Sequence, residues 1–577
     1  MNRTRVGAAI LSLSLLASSA RCATPVREVR AVWITTVNGL DWPKSYDVSE
    51  QKQSLVAIID RLAAAHYNTV FFQVRSRADA MYRSGYEPWS QQLTGVLGKD
   101  PGWDPLALVL EQAHARGMEV HAWFNTFYAR SGRALPPQTS PPHVILKHPD
   151  WVRLAEGEWW FDPGVPAARR YVLNVAMDLV RHYDIDGIHF DFLRYPAKLF
   201  PDESTFRKYG GTMSKEDWRR ENINMFVRAF YDSATSLKPM LKVGSAPIGI
   251  YSNIPNVSGL QSYSDLYQDS REWLREGKQD YLVPQTYWPF GARPGSPDFG
   301  VVAKDWALHT YGREVYLGIG AYKPEVFDQI PQMIDVTRSL GFPGNSFFRY
   351  GNIERSLEVG GRYKTLAIIP AMRWKDSIPP NPPASFAVTG AVRGGFRLEW
   401  APPREAADGD EARSYAVYRS TSSPVDVGAA ENLIALLRNG ATRMSDTVIH
   451  PASARYFYAV SALDKGNNES APVESSALLP EIVEALGRIA PSFRLGRAYP
   501  EPASSILFIP YELGQEGPVR LSILDEHERP VADLVRASQL PGRYVASGDL
   551  SKLKAGVYSL KLVAGTLSAS RTFRIQN

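Results

Sequence analysis

Cysteine is almost absent from this chain of 577 residues, and the single cysteine is Cys22. One thiol excludes an intramolecular disulfide and a cysteine-ligated metal cluster. The chain also has little excess of one charge over the other, because 65 basic and 60 acidic residues leave a net charge of +5. No run of lysine or arginine suggests a surface for nucleic acid, so we expect no nucleic-acid partner.

Long apolar runs are missing everywhere except at the start of the chain. Residues 1–23 combine a basic opening, an apolar core and small residues before Thr24. This pattern is typical of a cleaved secretory signal, and its apolar core is too short to span a membrane. We expect an exported protein without a transmembrane segment, in the periplasm, at the outer membrane surface or outside the cell. Lipid attachment at Cys22 is disfavoured, because Arg21 stands where such sites carry a small residue.

Strand and helix patterns alternate through residues 24–378, where eight short β-rich runs are separated by amphipathic helical stretches. Eight such units predict a parallel (β/α)₈ barrel, which is an α/β fold of the TIM type. A doubly wound open sheet is the alternative, but no glycine-rich phosphate motif follows any strand. We therefore predict the barrel.

Helical periodicity ends at a proline-rich linker, residues 376–386. Residues 380–477 alternate like the strands of a β-sandwich, with Trp400 as a buried core candidate and Tyr458 as part of a tyrosine corner. Residues 490–577 show a further all-β pattern. We predict two all-β sandwich domains after the barrel.

Polar residues occupy the ends of several predicted barrel strands, which is where (β/α)₈ enzymes place their active sites. Alternate residues of a strand share a face, so residues of matching parity can line one site. The two histidines among these polar residues do not lie in an HxH or HExxH pattern, so we expect no metal and no cofactor. The set comprises Gln73 and Arg75 on strand two, His121, Trp123 and Asn125 on strand three, His189 and Asp191 on strand four, and Gln285 and Tyr287, followed by Trp288, on strand six.

Aromatic residues beside these polar groups indicate a sugar site, because sugars present hydroxyl groups around apolar C–H faces. Trp42 and Trp89 also follow predicted strands, and they join Trp123, Tyr287 and Trp288 in this set. We expect that Trp33, which lies inside strand one, only fills the core.

Hydrolysis of a glycosidic bond usually needs two carboxyl groups, one ionised and one able to donate a proton. Asp191 is the first candidate. Arg194 follows three residues later and would hold Asp191 ionised if the two side chains lie close. This environment suits a nucleophile, a base or an electrostatic stabiliser better than an acid.

The second carboxyl is expected in a loop. Glu87 and Asp79, in the long loop after strand two, are the main candidates, and Asp265 and Asp269, after strand five, are less favoured. A general acid needs apolar or anionic surroundings that raise its pKa. Glu87 has aromatic neighbours and is favoured as the acid, whereas Asp79 has a mixed setting, with Arg77 before it and Met81 and Tyr82 after it.

Several segments in the first two thirds of the chain resemble the bacterial glycosyl-hydrolase-like family ten, in the expected order across roughly residues 27–370. They include "REVRAVWITTVNGLDWP", "GWDPLALVLEQAHARGMEVHAWFN", "YDIDGIHFDFLRYP" and "DYLVPQTYW". The resemblance implies a (β/α)₈ barrel that cleaves peptidoglycan glycan strands stripped of their peptides. Where the family often has tyrosine and isoleucine after the strand-four aspartate, this chain has Phe192 and Leu193. On the family's motif positions lie Arg75, Asp79, His121, Asn125, Asp191, Arg194 and Gln285.

The two sandwich regions also carry resemblances. Residues 380–477 resemble a fibronectin type III domain, and residues 490–577 resemble a carboxy-terminal secretion-sorting or surface-attachment domain. The sorting family has an asparagine–proline step where this chain has Glu501–Pro502, so a plain accessory sandwich is the alternative.

Three functions are consistent with the sequence. The first is an exported glycoside hydrolase that acts on cell-wall glycan. The second keeps this chemistry but acts on another polysaccharide. The third is a glycan-binding barrel without catalysis, which would retain glycan and release no new reducing ends.

Overall fold

The computed structural model describes most of the chain beyond the predicted signal. Of that signal only Ala23 is described, so Cys22 lies outside the described residues, as does Glu501. Among the described residues there is no helix whose length and apolar character would let it cross a membrane. The described ranges are 23–255, 257–291, 293, 295–390, 396–438, 440–447, 456–475, 493–499, 502–503, 506–550 and 552–576.

Contacts divide the chain into two units. The first unit extends to residue 377 and includes residues 428–438 and 465–468. The second comprises residues 378–427, 439–464 and 469–577.

Eight parallel strands form a closed barrel in the first unit. Each strand pairs with the next one along the chain, and the last strand pairs with the first, with Val29 opposite Gly344. The predicted (β/α)₈ barrel is therefore confirmed. The strands are β1 (Val29–Ile34), β2 (Thr69–Arg75), β3 (Glu119–Asn125), β4 (Gly187–Asp191), β5 (Lys242–Ser245), β6 (Tyr281–Leu282), β7 (Glu314–Val315 and Leu317–Ile319) and β8 (Gly344–Phe347).

A helix follows each strand. The first one begins where the side chain of Asp47 accepts a hydrogen bond from the backbone N–H of Glu50, a typical N-cap. Its residues Leu55, Ile59 and Leu62 recur at helical spacing and are buried against the barrel core. The helices are α1 (Val48–Ala64), α2 (Pro105–Ala115), α3 (Pro166–His182), α4 (Lys215–Leu237), α5 (Ser270–Arg275), α6 (Phe299–Ala307), α7 (Ile330–Ser339) and α8 (Tyr350–Ile353).

Shorter helices lie in the connections. The α-helical ones are Val144–Lys147, Glu203–Tyr209, Ser262–Asp265 and Pro324–Phe327. The 3₁₀ helices are Val37–Gly39, Pro149–Trp151, Glu354–Ser356, Val359–Gly361 and Ala430–Asn432.

Side chains alternate between the barrel interior and the helix layer, as the period of two in a strand requires. On β1, Trp33 belongs to the interior cluster, which also contains Phe71, Trp123 and Tyr281. Val32, which precedes Trp33, instead packs in the outer cluster with the helices. The interior of the barrel is thus a packed core below its mouth.

A small antiparallel sheet interrupts the connection between β3 and α3. Its strands are Tyr128–Arg130, Val152–Ala155 and Glu158–Phe161. The last two strands are joined at Glu156 and Gly157, whose φ angles are 52° and 82°. Two consecutive residues of positive φ favour a tight hairpin. This hairpin brings the strand that begins at Glu158 towards the barrel mouth.

The second unit is built from antiparallel sheets, so the predicted all-β character of the C-terminal part is confirmed. Trp400 is buried, and the hydroxyl of Tyr458 donates to the carboxylate of Asp446 at 2.8 Å. The fibronectin and sorting assignments stay predictions. A strand at Leu433–Arg438 belongs to the first unit by its contacts. The strands of the second unit are Ser385–Gly390, Phe396–Ala401, Ser414–Ser420, Arg443–Asp446, Phe457–Leu463, Val473–Glu474, Arg494–Leu495, Ile506–Leu513, Gly517–Leu524, Pro530–Gln539, Gly542–Asp549, Gly556–Ala564 and Leu567–Ile575.

Candidate active site

A cavity of about 480 Å³ opens at the carboxy-terminal ends of the barrel strands. Both its aromatic walls and its polar groups come from strand ends and from the loops beyond them. The aromatic residues are Trp33, Trp123, Tyr128, Phe192, Tyr287, Tyr322 and Phe348. The polar and charged residues are Thr35, Gln73, Ser76, Arg77, Asn125, Glu158, Asp191, Arg194 and Gln285.

Asp191 is the last residue of β4 and lies opposite Asn125 of β3 in the strand register. Its carboxylate accepts a hydrogen bond of 2.7 Å from the backbone N–H of Phe192. Phe192 has a φ of 49°, a left-handed conformation that is strained for an aromatic residue. Such strain persists only where the surrounding structure holds it, and here it turns the chain directly after the carboxylate.

Burial raises the pKa of Asp191 to about 6, although the N–H of Phe192 and the charge of Arg194 both lower it. Asp191 and Arg194, both of them described, form no ion pair. The Arg194 guanidinium instead lies over the rings of Trp160 and Phe192, at 5.4 and 5.1 Å from their centroids. We expected Arg194 to keep Asp191 ionised, but desolvation outweighs it.

Tyr287 and Gln285 reach the same cavity from the end of β6. Burial raises the pKa of Tyr287 well above its usual value, and the nearby Asp191 raises it further. The phenol therefore stays protonated and can donate a hydrogen bond. Its ring stacks on Phe348, with 5.7 Å between centroids, and the side-chain amide of Gln285 donates to the carbonyl of Ala246 at 3.2 Å.

Glu158, which the sequence analysis missed, supplies a second carboxylate. It begins the hairpin strand Glu158–Phe161 and accepts a hydrogen bond of 2.9 Å from the hydroxyl of Tyr128. The Tyr128 ring stacks on Phe192, the neighbour of Asp191, with 5.0 Å between centroids. Among the described residues, Glu158 and Asp191 are the two carboxylates that line this cavity. The Glu–Gly turn before Glu158 is a sequence signal that could have indicated the hairpin.

A chain of buried hydrogen bonds lies beneath the cavity floor. The indole N–H of Trp33 donates to Nε2 of His189 at 3.0 Å, and burial lowers the pKa of His189 well below its usual value. His189 is therefore neutral, and its Nδ1–H donates to the hydroxyl of Tyr281 at 3.2 Å. That hydroxyl donates in turn to Nδ1 of His121 at 2.7 Å, and His121 Nε2–H donates to Glu119 at 3.2 Å.

Glu119, the last group of this hydrogen-bonded series, is paired with a lysine at the end of the barrel opposite the cavity. Lys242 contacts both carboxylate oxygens of Glu119, at 2.8 and 2.9 Å. Although burial raises it, Lys242 and His121 hold the pKa of Glu119 below its usual value. The layer directly under the floor is thus uncharged.

The sequence of this barrel matches a known family. The family described as Glycosyl hydrolase-like 10 matches residues 28–335. The chain belongs to the glycosyl hydrolase-like family 10. Glycosyl hydrolase YngK of Bacillus subtilis (strain 168) is 33% identical over 501 residues, which cover 81% of this chain and 95% of that protein.

Two further similarities concern smaller parts of the chain. Glycosyl hydrolase DigH of Escherichia coli (strain K12) is 35% identical over 324 residues, which cover 51% of this chain and 73% of that protein. The solved glycoside hydrolase domain of PgaB (BpsB) from Bordetella bronchiseptica aligns with 60% of this chain and all of its own length, at 12% identity and a TM-score of 0.42. Membership of the family confirms the predicted glycoside hydrolase.

Two histidines that the sequence predicted as substrate contacts lie below the cavity. His121 and His189 share the inward face with Asn125 and Asp191, as predicted, but both lie within the barrel core and outside the cavity lining. His189 accepts the indole N–H of Trp33, which itself lines the cavity floor, and His121 lies one hydrogen bond further down, on the hydroxyl of Tyr281. The expectation that Trp33 only fills the core is therefore wrong.

Arg75 and Glu87 form a buried ion pair away from the cavity. Two guanidinium nitrogens of Arg75 each donate to one oxygen of Glu87, both at 2.7 Å, and the side chains are 0% and 1% exposed. The register of β2 shifts between Gln73 and Arg75, so the two do not share a face as expected. Gln73 lines the cavity, whereas the Arg75 guanidinium lies over the ring of Phe124 in the helix layer. Burial raises the pKa of Glu87 and Arg75 lowers it, and this carboxyl lies outside the cavity lining.

Asp79 borders a separate polar cavity beside the first one. Its carboxylate accepts hydrogen bonds from the hydroxyl of Ser76 and the backbone N–H of Arg77, both at 2.9 Å. The less favoured acids are engaged elsewhere, since Asp265 pairs with Lys198 at 2.7 Å and Asp269 accepts from Tyr251 at 2.7 Å. The remaining aromatic candidates pack in or against the barrel core and outside the cavity lining: Trp42, Trp89 and Trp288.

Proposed function

We propose that this glycoside hydrolase cleaves peptide-free peptidoglycan strands, with Asp191 as its general acid. The observation that carries the catalytic assignment is the position of Asp191 in the cavity together with its pKa of about 6. A group with this pKa is partly protonated near neutral pH, which a proton donor requires. The family resemblance supports the substrate, and the sequence of residues 1–23 supports export towards it.

Glu158 is the ionised partner in this proposal. Asp191 transfers its proton to the glycosidic oxygen as the bond to the anomeric carbon breaks, and the resulting positive charge on the sugar ring faces a carboxylate. The hydroxyl of Tyr128 donates to Glu158 at 2.9 Å and positions this carboxylate in the cavity wall. Water completes the reaction, and its proton restores the acid.

The remaining cavity residues fit a sugar. Trp123 and Phe348 offer flat apolar surfaces, while Gln73, Asn125 and Gln285 offer amide donors and acceptors at the strand ends. This mixture of aromatic walls and a few convergent polar groups is typical of small-molecule and glycan sites. It supports a glycan substrate over a lipid or a nucleotide.

The direct test is digestion of purified peptide-free glycan strands, intact peptidoglycan and a panel of other polysaccharides, with products identified by mass. We expect new reducing ends from the peptide-free strands. Cleavage of another polysaccharide alone would refute the substrate. Retention of glycan without new reducing ends would refute catalysis.

A second experiment tests the assignment of the acid. Aryl glycosides of the correct sugar with leaving groups of graded acidity are compared in Asp191→Asn and Glu87→Gln. Loss of the true acid slows poor leaving groups far more than activated ones, because only poor ones need protonation. We expect this dependence for Asp191→Asn alone, and the reverse result would return the role to Glu87.

A further inference from the structure

A second cavity of about 230 Å³ adjoins the candidate active site. The two share Ser76 and Arg77 in their walls. The walls of the second cavity are almost entirely polar: Ser76, Arg77, Asp79, Gln91, Gln92, Arg130, Ser131 and His143, with Leu97. A sugar chain that leaves the active-site cavity on this side would meet these groups.

Two arginines, Arg77 and Arg130, line this wall. Neither Arg77 nor Arg130 forms an ion pair with any residue in the part of the chain that the structure describes. The Nε of Arg77 is buried without a hydrogen-bond partner among those residues, and the Nε of Arg130 donates to the carbonyl of Ala134 at 3.1 Å. Burial and the charge of Arg77 lower the pKa of Arg130, and the charge of Asp79 raises it, so both charged groups lie near Arg130.

The other titratable groups of this wall do not cancel the two charges. Asp79 contributes one negative charge, and its Oδ1 is already occupied by Ser76 and by the backbone of Arg77. Burial lowers the pKa of His143 to about 4, so this histidine is neutral at neutral pH. The cavity therefore keeps a net charge of one positive unit, since two arginines face one aspartate.

We propose that Arg77 and Arg130 form a subsite for a carboxylate carried by a sugar of the glycan. This inference rests on the proposed function and specifies its substrate. A guanidinium offers a planar fork of donors that matches a carboxylate, and charge-assisted hydrogen bonds are about twice as strong as neutral ones. A bound carboxylate would also remove the repulsion between the two arginines.

This subsite accounts for the peptide-free strands that the proposed function assigns as substrate. N-acetylmuramic acid carries a lactyl carboxylate, which is free and negative only when no peptide is attached. In a peptide-bearing strand the same carbon forms an amide, which has no charge for the arginines. Loss of the peptide thus creates the group that the subsite binds.

The test compares three substrates: peptide-free glycan strands, the same strands with their carboxylates amidated by methylamine, and hyaluronan, whose carboxylates belong to uronic acids. For the wild type, we expect amidation to lower kcat/KM by about ten- to a hundred-fold, the range of one or two charge-assisted hydrogen bonds. Arg130→Gln should show the same loss on unmodified strands and no further loss on amidated ones. Arg133→Gln, which changes an exposed arginine in the turn that follows the strand of Arg130, is the matched control and should behave like the wild type.

A measurement on the wild type alone guards against a variant that fails to fold. KM for unmodified strands should rise with salt, because screening weakens an exposed ionic contact, whereas KM for amidated strands should not. Equal cleavage of both strands by the wild type would overturn the subsite and leave the proposed function intact. Cleavage of hyaluronan alone, impaired in Arg130→Gln, would support the subsite and overturn peptidoglycan as the substrate. Cleavage of neutral polysaccharides alone would overturn both.

Discussion

The Asp191→Asn variant should unfold at a higher temperature than the wild type at alkaline pH, although it has lost its activity. The carboxyl of Asp191 has a pKa of about 6 in the folded protein against 3.8 in its unperturbed state, mainly because its position in the cavity desolvates it. A group whose folded pKa is raised favours folding while it is protonated, and this contribution disappears as the pH rises through the folded pKa. Asparagine has the same shape, carries no charge and keeps the oxygen that accepts from the N–H of Phe192.

The size of the effect follows from the two pKa values. The difference of about two units corresponds to about 3 kcal/mol of unfolding free energy, at 1.36 kcal/mol for each unit. For a barrel of roughly 350 residues, the unfolding entropy near the midpoint is about 0.7 kcal/mol per degree, so Tm should shift by about 4 °C. The variant should therefore equal the wild type below about pH 4 and exceed it by about 4 °C above about pH 7.

The assay is thermal unfolding of both proteins, followed by tryptophan fluorescence at several pH values between 4 and 8. Asp184→Asn is the control, because Asp184 precedes β4 at the opposite end of the barrel. Parallel Tm curves for Asp191→Asn and the wild type would refute the raised pKa of Asp191. They would also remove the physical basis for its role as the general acid.

Three further predictions concern the same barrel. The kcat/KM of the wild type should fall tenfold for each pH unit above about 6, because ionised Asp191 cannot donate a proton; a flat profile up to pH 8 would exclude it as the acid. Tyr281→Phe should lower the unfolding free energy by about 2 to 4 kcal/mol, because it leaves nitrogens of His121 and His189 unpaired, while kcat/KM changes much less; urea unfolding measures this loss. Glu87→Gln should cost about 3 to 5 kcal/mol in the same assay, because the buried Arg75 loses its counter-charge, and an unchanged midpoint would contradict the pair.

The barrel could be predicted from the sequence because its signals are local and repeat eight times. Parity along the strands also identified the inward face correctly, and Gln73, Trp123, Asn125, Asp191 and Gln285 all reach the cavity. The alternation of residues along a strand does not show how deep in the barrel a side chain lies. A residue two positions earlier on a strand lies about 6.6 Å further from the mouth.

That distance explains why the two predicted histidines lie below the cavity and not in its lining. His121 is four residues before Asn125, and His189 is two before Asp191, so both lie in the layers that fill the barrel. Arg75 does not lie on the predicted face, because an irregularity in β2 turns its side chain outward. Irregularities of this kind leave little trace in the amino-acid composition of a strand. The sequence therefore supplies the face of a side chain where the strand is regular, but it does not supply the depth of that side chain in the barrel.

The second carboxylate could not be found from strand ends, because it comes from a hairpin inserted in a loop. Its position depends on the turn at Glu156 and Gly157 and on the contact with Tyr128, both far in sequence from Asp191. Glu87 seemed the better acid because its neighbours in sequence are aromatic. Its neighbour in space is Arg75, twelve residues away, and local composition cannot reveal that pairing.

The uncharged layer below the cavity connects the fold to the proposed acid. A protonated His189, two residues before Asp191 on the same face of β4, would attract the carboxylate's charge and lower its pKa. The indole of Trp33 can only donate, so it occupies Nε2 of His189 and leaves Nδ1 to carry the single proton. Burial favours the same neutral form, and the charges of Glu119 and Lys242 are confined to the far end of the barrel. The core that fills the barrel thus keeps a positive charge away from Asp191, and the desolvation of this carboxyl raises its pKa unopposed from below.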